Sequence, residues 1–417
     1  MAGMGLEQVV VVGASLAGLR TCEALRSGGH RGRITLVGDE VTPLYDRPPL
    51  SKKLLAGEWE PDRIQLRKPA DLDGLDLDLR IGVPAAGLDT AAQRVLLDDG
   101  STLAYDALVI ATGAVPRTLP GQPAAGGLHT VRTLADSLAL RADLGLDRGR
   151  APRVTVIGAG FIGLEVAATA RAAGAAVTVL EGAPAPLIRG LGAEMGTAAA
   201  SVHTRHGVDV RCGVQVAGIS VGEGGRVDAV ELADGTHVAS DVVVVGIGVR
   251  PAIDWLRGSG LTLDDGVVCD DTLWTGVPGV WAAGDCARWH HRLFDPHDDA
   301  VMRVEHWTNA AEQGAAAGGN VLAVERGDEP APYESVPFFW SDQFESRIQF
   351  VGRAHGGDEV QVIAGSTDGS FAAMYGWEGR LRGVLGVSLP KVVMPFRRLL
   401  AERATWDDAM AHAATLG

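Results

Sequence analysis

The sequence predicts an α/β protein made of two parallel-sheet units of one design, followed by a C-terminal α+β region with an antiparallel sheet. Three observations carry that expectation. A valine-rich run, a glycine turn and an amphipathic run occur in the same order twice, at residues 9–26 and again at 154–173. Two more segments, 108–113 and 242–251, are apolar enough to be buried parallel strands, and each runs into glycine. Beyond residue 346, apolar and polar residues alternate with the two-residue period of strands.

In the first copy, Val9-Val10-Val11-Val12 reads as a strand, Gly13-Ala14-Ser15-Leu16-Ala17-Gly18 as the turn, and the run to about Arg26 as a helix. A second strand at 34–37 leads into Gly38-Asp39-Glu40. The second copy has a strand at 154–157, the turn Gly158-Ala159-Gly160-Phe161-Ile162-Gly163, a helix through about Ala173, and a strand at 177–180 ending at Glu181. Each is a Rossmann-like dinucleotide fingerprint in its required context. The first glycine permits the tight turn, the second lets backbone N–H groups approach a pyrophosphate, and the third lets the helix pack on the strand. The helix N-terminus then turns its partial positive charge toward the phosphates. Gly18 stands 21 residues before Asp39 and Gly163 stands 18 before Glu181, close to the ~20 at which an acid receives a ribose hydroxyl. Ser15 replaces the middle glycine of the first copy, which narrows the approach there.

Two fingerprints imply two dinucleotides, and three segments point to a flavin for one of them. Residues 108–113, closing in Ala111-Thr112-Gly113, and 242–251, containing Gly248, suit the crossings between a flavin domain and an inserted nicotinamide domain. The run Gly279-Val280-Trp281-Ala282-Ala283-Gly284-Asp285 sets a carboxylate just past a glycine. There it can bind a ribityl hydroxyl while Gly284 lets the cofactor come close.

Composition narrows the function classes. At 417 residues and 43.4 kDa the chain is too long for one ordinary core, so two or three domains are expected. The formal charge of −15 argues against a nucleic-acid binder, whose affinity would come from neutralising phosphates. The apolar run at 9–19 is far short of the ~20 residues of a spanning helix; it lacks a basic flank and carries the nucleotide pattern, so it is not read as a leader. Cys22, Cys212, Cys269 and Cys286 lie far apart, with no Cys-x-x-Cys pair. No disulfide scaffold, sequence-local zinc knuckle or closely spaced redox dithiol is therefore expected, and a cytoplasmic enzyme is.

Taken with Tyr45-Asp46-Arg47-Pro48-Pro49-Leu50-Ser51-Lys52 and Phe339-Trp340-Ser341-Asp342-Gln343, these motifs resemble the FAD-dependent NADH–ferredoxin reductases of bacterial oxygenase systems, which share the pyridine nucleotide-disulfide oxidoreductase fold. The resemblance runs from about residue 7 to 400. It implies a split FAD-binding domain at 1–114 and 245–325, an NAD(H)-binding domain at 115–244 and a C-terminal domain at 326–417. The alternation in that last domain predicts strands at 347–353, 359–364, 371–377 and 380–387, with Glu378-Gly379 as a hairpin turn, and a closing helix near 392–403.

The resemblance also implies roles. Gly13, Ser15, Leu16, Ala17 and Gly18 would hold FAD, with Asp39 at the adenosine ribose, Arg132 on the phosphate side, and Arg47, Ala85, Ala111, Thr112 and Gly113 completing the set. Gly284 and Asp285 would meet the ribityl chain, and the Trp307 backbone the pyrimidine end of the ring. The alanine-rich run 306–322 reads as a helix aiming positive charge at that end. Lys52, beside the isoalloxazine, and Glu165, against the nicotinamide carboxamide, form the catalytic assignment. Gly158, Gly160, Phe161, Ile162, Gly163 and Gly248 would hold NAD(H). Glu181 would accept from the adenosine 2′-hydroxyl and repel a 2′-phosphate, which favours NADH over NADPH, whereas Arg189 is of the type that accommodates that phosphate.

The implied reaction is hydride transfer from NADH to FAD, then single-electron transfer to a ferredoxin that feeds a heme monooxygenase or a ring-hydroxylating dioxygenase. The flavin carries the redox work, so no side-chain nucleophile is sought. Related disulfide reductases, peroxidases and oxidases keep cysteine beside the flavin, and residues 44–55 have none. Cys286, just after Asp285, reads as inert. Electrons would leave directly, with Trp340 at the flavin edge. A ferredoxin is usually acidic, as this chain is, so local charge must steer docking. Lys391, Arg397, Arg398 and Arg403 against Glu402 give a net +3, and Arg292 with His290 and His291 forms a second candidate patch. The rival readings are another acceptor, such as rubredoxin, a quinone or oxygen, or a flavin-binding interaction protein controlled by its redox state.

Overall fold

Four consecutive valines, Val9–Val12, are buried on both faces, which places their strand at the centre of a sheet rather than at its edge. In this computed structural model, which describes residues 6–42, 44–145, 149, 151–294 and 300–416, the Gln8–Val12 strand lies between Arg33–Gly38 and Ala107–Ile110. Asp78–Ile81 and Val280–Ala282 complete five parallel strands. Backbone contacts assign this sheet to one compact unit, Met1–Asp46, Ile64–Val115 and Arg250–Pro337. The Leu16–Ser27 helix buries Leu16, Leu19, Cys22 and Leu25 at three-residue spacing, the stripe of a helix lying on a core. Its partner is the Trp307–Arg326 helix, which runs past the expected end at Leu322. Small residues allow the close approach: a Cβ on Gly314 would stand 2.2 Å from the Ala17 carbonyl oxygen. The Thr21 hydroxyl donates to both Ala17 and Gly314 carbonyls at 2.9 Å.

The second unit comprises Arg47–Arg63, Pro116–Val249 and Phe338–Gly417. Its parallel sheet has Arg153–Ile157 at the centre, Ala176–Glu181 and Asp209–Cys212 on one side, and Val242–Val245 and Leu128–His129 on the other. In both sheets the glycine turn leaves the central strand where the strand order reverses. That is the position at which an open α/β sheet opens a crevice for a ligand.

The C-terminal part of this unit is an antiparallel sheet in the order Phe338–Gln343, Ser346–Gly352, Arg380–Val387, Phe371–Trp377, Glu359–Gly365. Four of these strands match the expected ones to within a residue or so. Glu378 and Gly379 both take positive φ, 48° and 73°, as a two-residue hairpin of the strand-matching hand requires. The fifth strand, Phe338–Gln343, is the aromatic motif itself, which the alternation alone did not mark as a strand. The expected single closing helix is corrected: the chain forms short helices at Pro390–Val393, Phe396–Ala401 and Trp406–Ala413. Pro395 has no N–H to continue a helix, and Arg403 turns back at φ 56° before Thr405 caps the last helix through Asp408 N at 3.1 Å.

Candidate coenzyme and hydride-transfer site

The two glycine turns meet the same packing demand. A Cβ on Gly13 would lie 2.0 Å from the Ala111 carbonyl oxygen, and one on Gly158 would lie 2.3 Å from that of Gly246. Both glycines have strongly positive φ, 124° and 106°, so no side chain fits either place. Gly18 and Gly163 face the Gly13 and Gly158 carbonyls at 2.0 and 2.2 Å in the same sense. Gly160 differs: a Cβ there would meet nothing within 4 Å among the described residues. Its lack of a side chain serves no protein neighbour and leaves room for a ligand. Leu16–Ser27 and Phe161–Ala172 begin at Ser15 and Gly160 with no side-chain cap, although this chain builds a full capping box at Thr133. Helix starts of this kind suit an anion, so the residues present fit two dinucleotide pyrophosphates.

Beyond each turn stands the expected acid. Asp39 is exposed just past its strand. Glu181 is held more firmly: Oε2 accepts from Ala159 N at 2.7 Å and Oε1 from Ala183 N at 2.8 Å. This fixes the carboxylate beside the second turn with lone pairs left for ribose hydroxyls. Arg189 is exposed on the short Ile188–Leu191 helix. A Cβ on Gly248 would lie 3.8 Å from its guanidinium.

Lys52 and Glu165, 113 positions apart, meet at 2.7 Å. The Pro48–Ser51 turn brings Lys52 to the Phe161–Ala172 helix, and the Leu50 carbonyl accepts from Ser137 Oγ at 2.7 Å. Glu165 and Thr169 share one helix face four residues apart. Thr169 Oγ1 donates to the Ser51 carbonyl at 2.8 Å, and Ser51 Oγ donates to Glu165 Oε2 at 2.5 Å. Lys52 Nζ also reaches the Pro48 carbonyl at 3.2 Å. From the C-terminal sheet, Ser341 Oγ donates to Glu165 Oε1 at 2.5 Å. Only 3% of the Glu165 side chain is exposed. A carboxylate this buried is tolerated because three donors meet it.

The other assigned residues are distributed through the two units. In the first, Ala85 opens the Ala85–Asp89 strand of a small antiparallel sheet, and Thr112 Oγ1 donates to the Ala252 carbonyl at 2.8 Å. Gly284 and Asp285 lie in a single 3-10 turn, with Gly284 N donating to the buried Gln313 Oε1 at 2.8 Å. The Trp307 indole donates to Asp46 Oδ1 at 2.6 Å. In the second, the Arg47 guanidinium donates to the Arg132 carbonyl. Ile162 is half exposed at the helix start, and Phe161 packs edge-on against Phe339 at 4.7 Å, next to half-buried Trp340. Cys286 is fully buried, and burial pushes its thiol well above the ordinary range. It is a poor nucleophile for that reason.

Two expectations about charge change. His291 is fully buried, its Nε2 against the Ser335 carbonyl at 2.9 Å, so it belongs to no surface patch. Arg292 pairs with Asp271 and lies 4.0 Å from Glu334, which cancels much of the positive charge expected there. Sequence reasoning also left Ser51, Ser341, Gln343 and His203 without roles. Ser341 and Gln343 stand two apart in the Phe338–Gln343 strand and are both buried, so their polar groups point to one interior face, but the sequence alone marked neither the strand nor its burial.

Known proteins match this architecture along its length. The pyridine nucleotide-disulphide oxidoreductase model matches residues 7–314 and the reductase C-terminal model residues 338–415. Rhodocoxin reductase of Rhodococcus erythropolis is 38% identical over 94% of this chain and 89% of its own. The ferredoxin–NAD(+) reductase component of the anthranilate 1,2-dioxygenase system of Burkholderia cepacia is 37% identical over 99% of each chain. The structure of putidaredoxin reductase in its covalent complex with putidaredoxin superposes with a TM-score of 0.89 at 34% identity, covering 98% of each chain. With its paired glycine turns, its C-terminal antiparallel sheet and this likeness along the chain, the protein belongs to the pyridine nucleotide-disulphide oxidoreductase family, among the FAD-dependent NADH–ferredoxin reductases.

Proposed function

We propose that this chain oxidises NADH and passes electrons one at a time to an iron–sulfur ferredoxin serving an oxygenase, either a heme monooxygenase or a ring-hydroxylating dioxygenase. The observation that carries the reading is the pairing of part-exposed Lys52 with the buried carboxylate of Glu165. Bound FAD supplies the conversion of one hydride into two single-electron steps. The chain's own residues do the positioning. Residues 1–114 and 245–325 hold FAD through Gly13, Gly18, Asp39, Thr112, Asp285 and the Trp307 backbone, with Arg132 reaching its phosphate side from residues 115–244, which hold NADH. Glu165 orients the carboxamide, and Lys52, anchored to it, places a fixed positive charge where negative charge develops. Glu181 selects NADH over NADPH. The names of relatives, several of them reductase components of dioxygenase systems, support ferredoxin as the acceptor. Among the described residues no helix is long and apolar enough to cross a membrane, and the cytoplasm is the proposed compartment. The test is cytochrome c reduction by the yellow, FAD-loaded protein with and without added two-iron ferredoxin, using NADH and NADPH in parallel. Strict dependence on ferredoxin and a preference of at least about tenfold for NADH are expected. Equal rates without ferredoxin, or faster reduction of a quinone or oxygen, would replace the acceptor.

A further inference from the structure

Behind Ser341 the polar contacts do not stop. Gln343 Nε2 lies 3.0 Å from Ser341 Oγ, and Gln343 Oε1 lies 2.9 Å from His203 Nε2. Gln343 and His203 are fully buried and Ser341 is 1% exposed. Both His203 and the strand that carries Gln343 belong to the unit that holds Lys52 and Glu165. We infer that His203 and Gln343 are positioning residues, forming a one-way hydrogen-bond chain that fixes the direction in which Ser341 gives its hydrogen to Glu165. This rests on the reading of Lys52 and Glu165 as the hydride-transfer pair.

The direction follows from what each atom can do. Among the described residues, His203 Nδ1 is buried with no hydrogen-bond partner. An N–H there would be stranded, which costs more than an unfilled lone pair, so the ring carries its hydrogen on Nε2. Burial also holds the His203 pKa below its ordinary value, which favours the neutral ring. Nε2–H must then meet an acceptor, which orients the Gln343 amide with Oε1 toward His203 and Nε2 toward Ser341. The amide NH₂ can only donate, so the Ser341 oxygen accepts from it. The single Ser341 hydrogen is left for Glu165 Oε1, and the carboxylate receives rather than gives at that oxygen. Packing fixes the far end. Phe344 meets the His203 ring edge-on at 5.3 Å and is itself stacked on His206 at 4.0 Å, with His206 bonded to Glu345 at 2.8 Å.

Two measurements on the FAD-loaded full chain test this. The first is side-chain ¹⁵N NMR of histidine-labelled protein, with the His203 signals identified by their loss in His203→Gln. The tautomer protonated at Nε2 is expected at about pH 8, above the ordinary histidine range. The second is stopped-flow reduction by NADH. Gln343→Met, which keeps the volume and removes the amide, should slow hydride transfer about tenfold while the Kd for NADH changes less than about twofold. His203→Gln retains a donor and should keep most of the rate, whereas His203→Phe should match Gln343→Met. A structural role alone would lower the Tm or FAD retention and leave the rate of the loaded fraction unchanged. That result, or an Nδ1-protonated His203 in the unmodified chain, overturns the inference. If the unmodified FAD-loaded chain accepts no hydride from NADH, the function reading fails instead, and the tautomer still decides whether the chain has this direction.

Discussion

Replacing Glu181 by serine removes the charge that two backbone N–H groups hold beside the second glycine turn. If that charge is what repels a 2′-phosphate, kcat/KM for NADPH should rise relative to NADH by about tenfold, or ~1.4 kcal/mol of discrimination. Steady-state kinetics with both coenzymes checks this, and an unchanged ratio would move the selectivity elsewhere, with Arg189 next to be tested. Single residues also explain what this site does without. Cys286 is enclosed, and its Sγ approaches the Ile110 and Ala283 carbonyls at 3.5 and 3.4 Å. A thiol so placed packs like a small apolar group. Ser15 shows how a local departure from a motif is absorbed: it occupies the N-cap of the Leu16–Ser27 helix in extended backbone geometry, so a side chain fits there at no conformational cost.

At the scale of elements, the glycine turns separate folding from binding. Gly158→Ala would place a methyl group 2.3 Å from the Gly246 carbonyl at a φ of 106°. The cost should be about 3 kcal/mol, from overpacking in a tight strand–turn–helix junction. Gly160→Ala meets no atom of the described residues beyond its chain neighbours within 4 Å, so stability should change by less than about 0.5 kcal/mol. If the coenzyme approaches at Gly160, the added methyl group obstructs it, and the KM for NADH should rise about tenfold with kcat little changed. Denaturant unfolding and initial-rate kinetics on the two variants distinguish the roles. Equal destabilisation would show that Gly160 also serves packing. The hairpin at Glu378-Gly379 and the broken C-terminal helices carry the complementary lesson. Turn chemistry is local and was legible in the sequence, whereas the point at which a helix yields depends on Pro395 and on the sheet against which the Val393 and Phe396 side chains are buried.

At the scale of the whole molecule, a net charge of −15 opposes an acidic partner at long range, so docking must rely on a local exception. The segment carrying Lys391, Arg397, Arg398 and Arg403 is such an exception. Lys391, Arg398 and Arg403 are exposed, and Arg398 is paired only loosely with Glu402, since both side chains are more than half in solvent at 2.9 Å. Surface pairs of this kind contribute little to stability, so their reversal should leave the fold intact. The double variant Arg397→Glu, Arg398→Glu should raise the KM for ferredoxin at least about fivefold at low ionic strength, with the difference fading as salt screens it. A KM independent of both substitutions and salt would take the segment out of the docking surface.

The sequence by itself determined the two dinucleotide folds, their glycine turns, the acids that tip the second strands and most of the C-terminal sheet. These are set by short-range rules: valine runs for buried strands, φ > 0 for glycine, alternation for sheet faces. Only the tertiary structure decided that Lys52, Ser51 and Ser341 all converge on Glu165, that His203 and Gln343 stand behind them, and that His291 is buried rather than displayed. A buried carboxylate must find its donors wherever packing brings them. Those partners come from segments more than a hundred residues apart, and no local pattern encodes which polar side chains will face the same interior point.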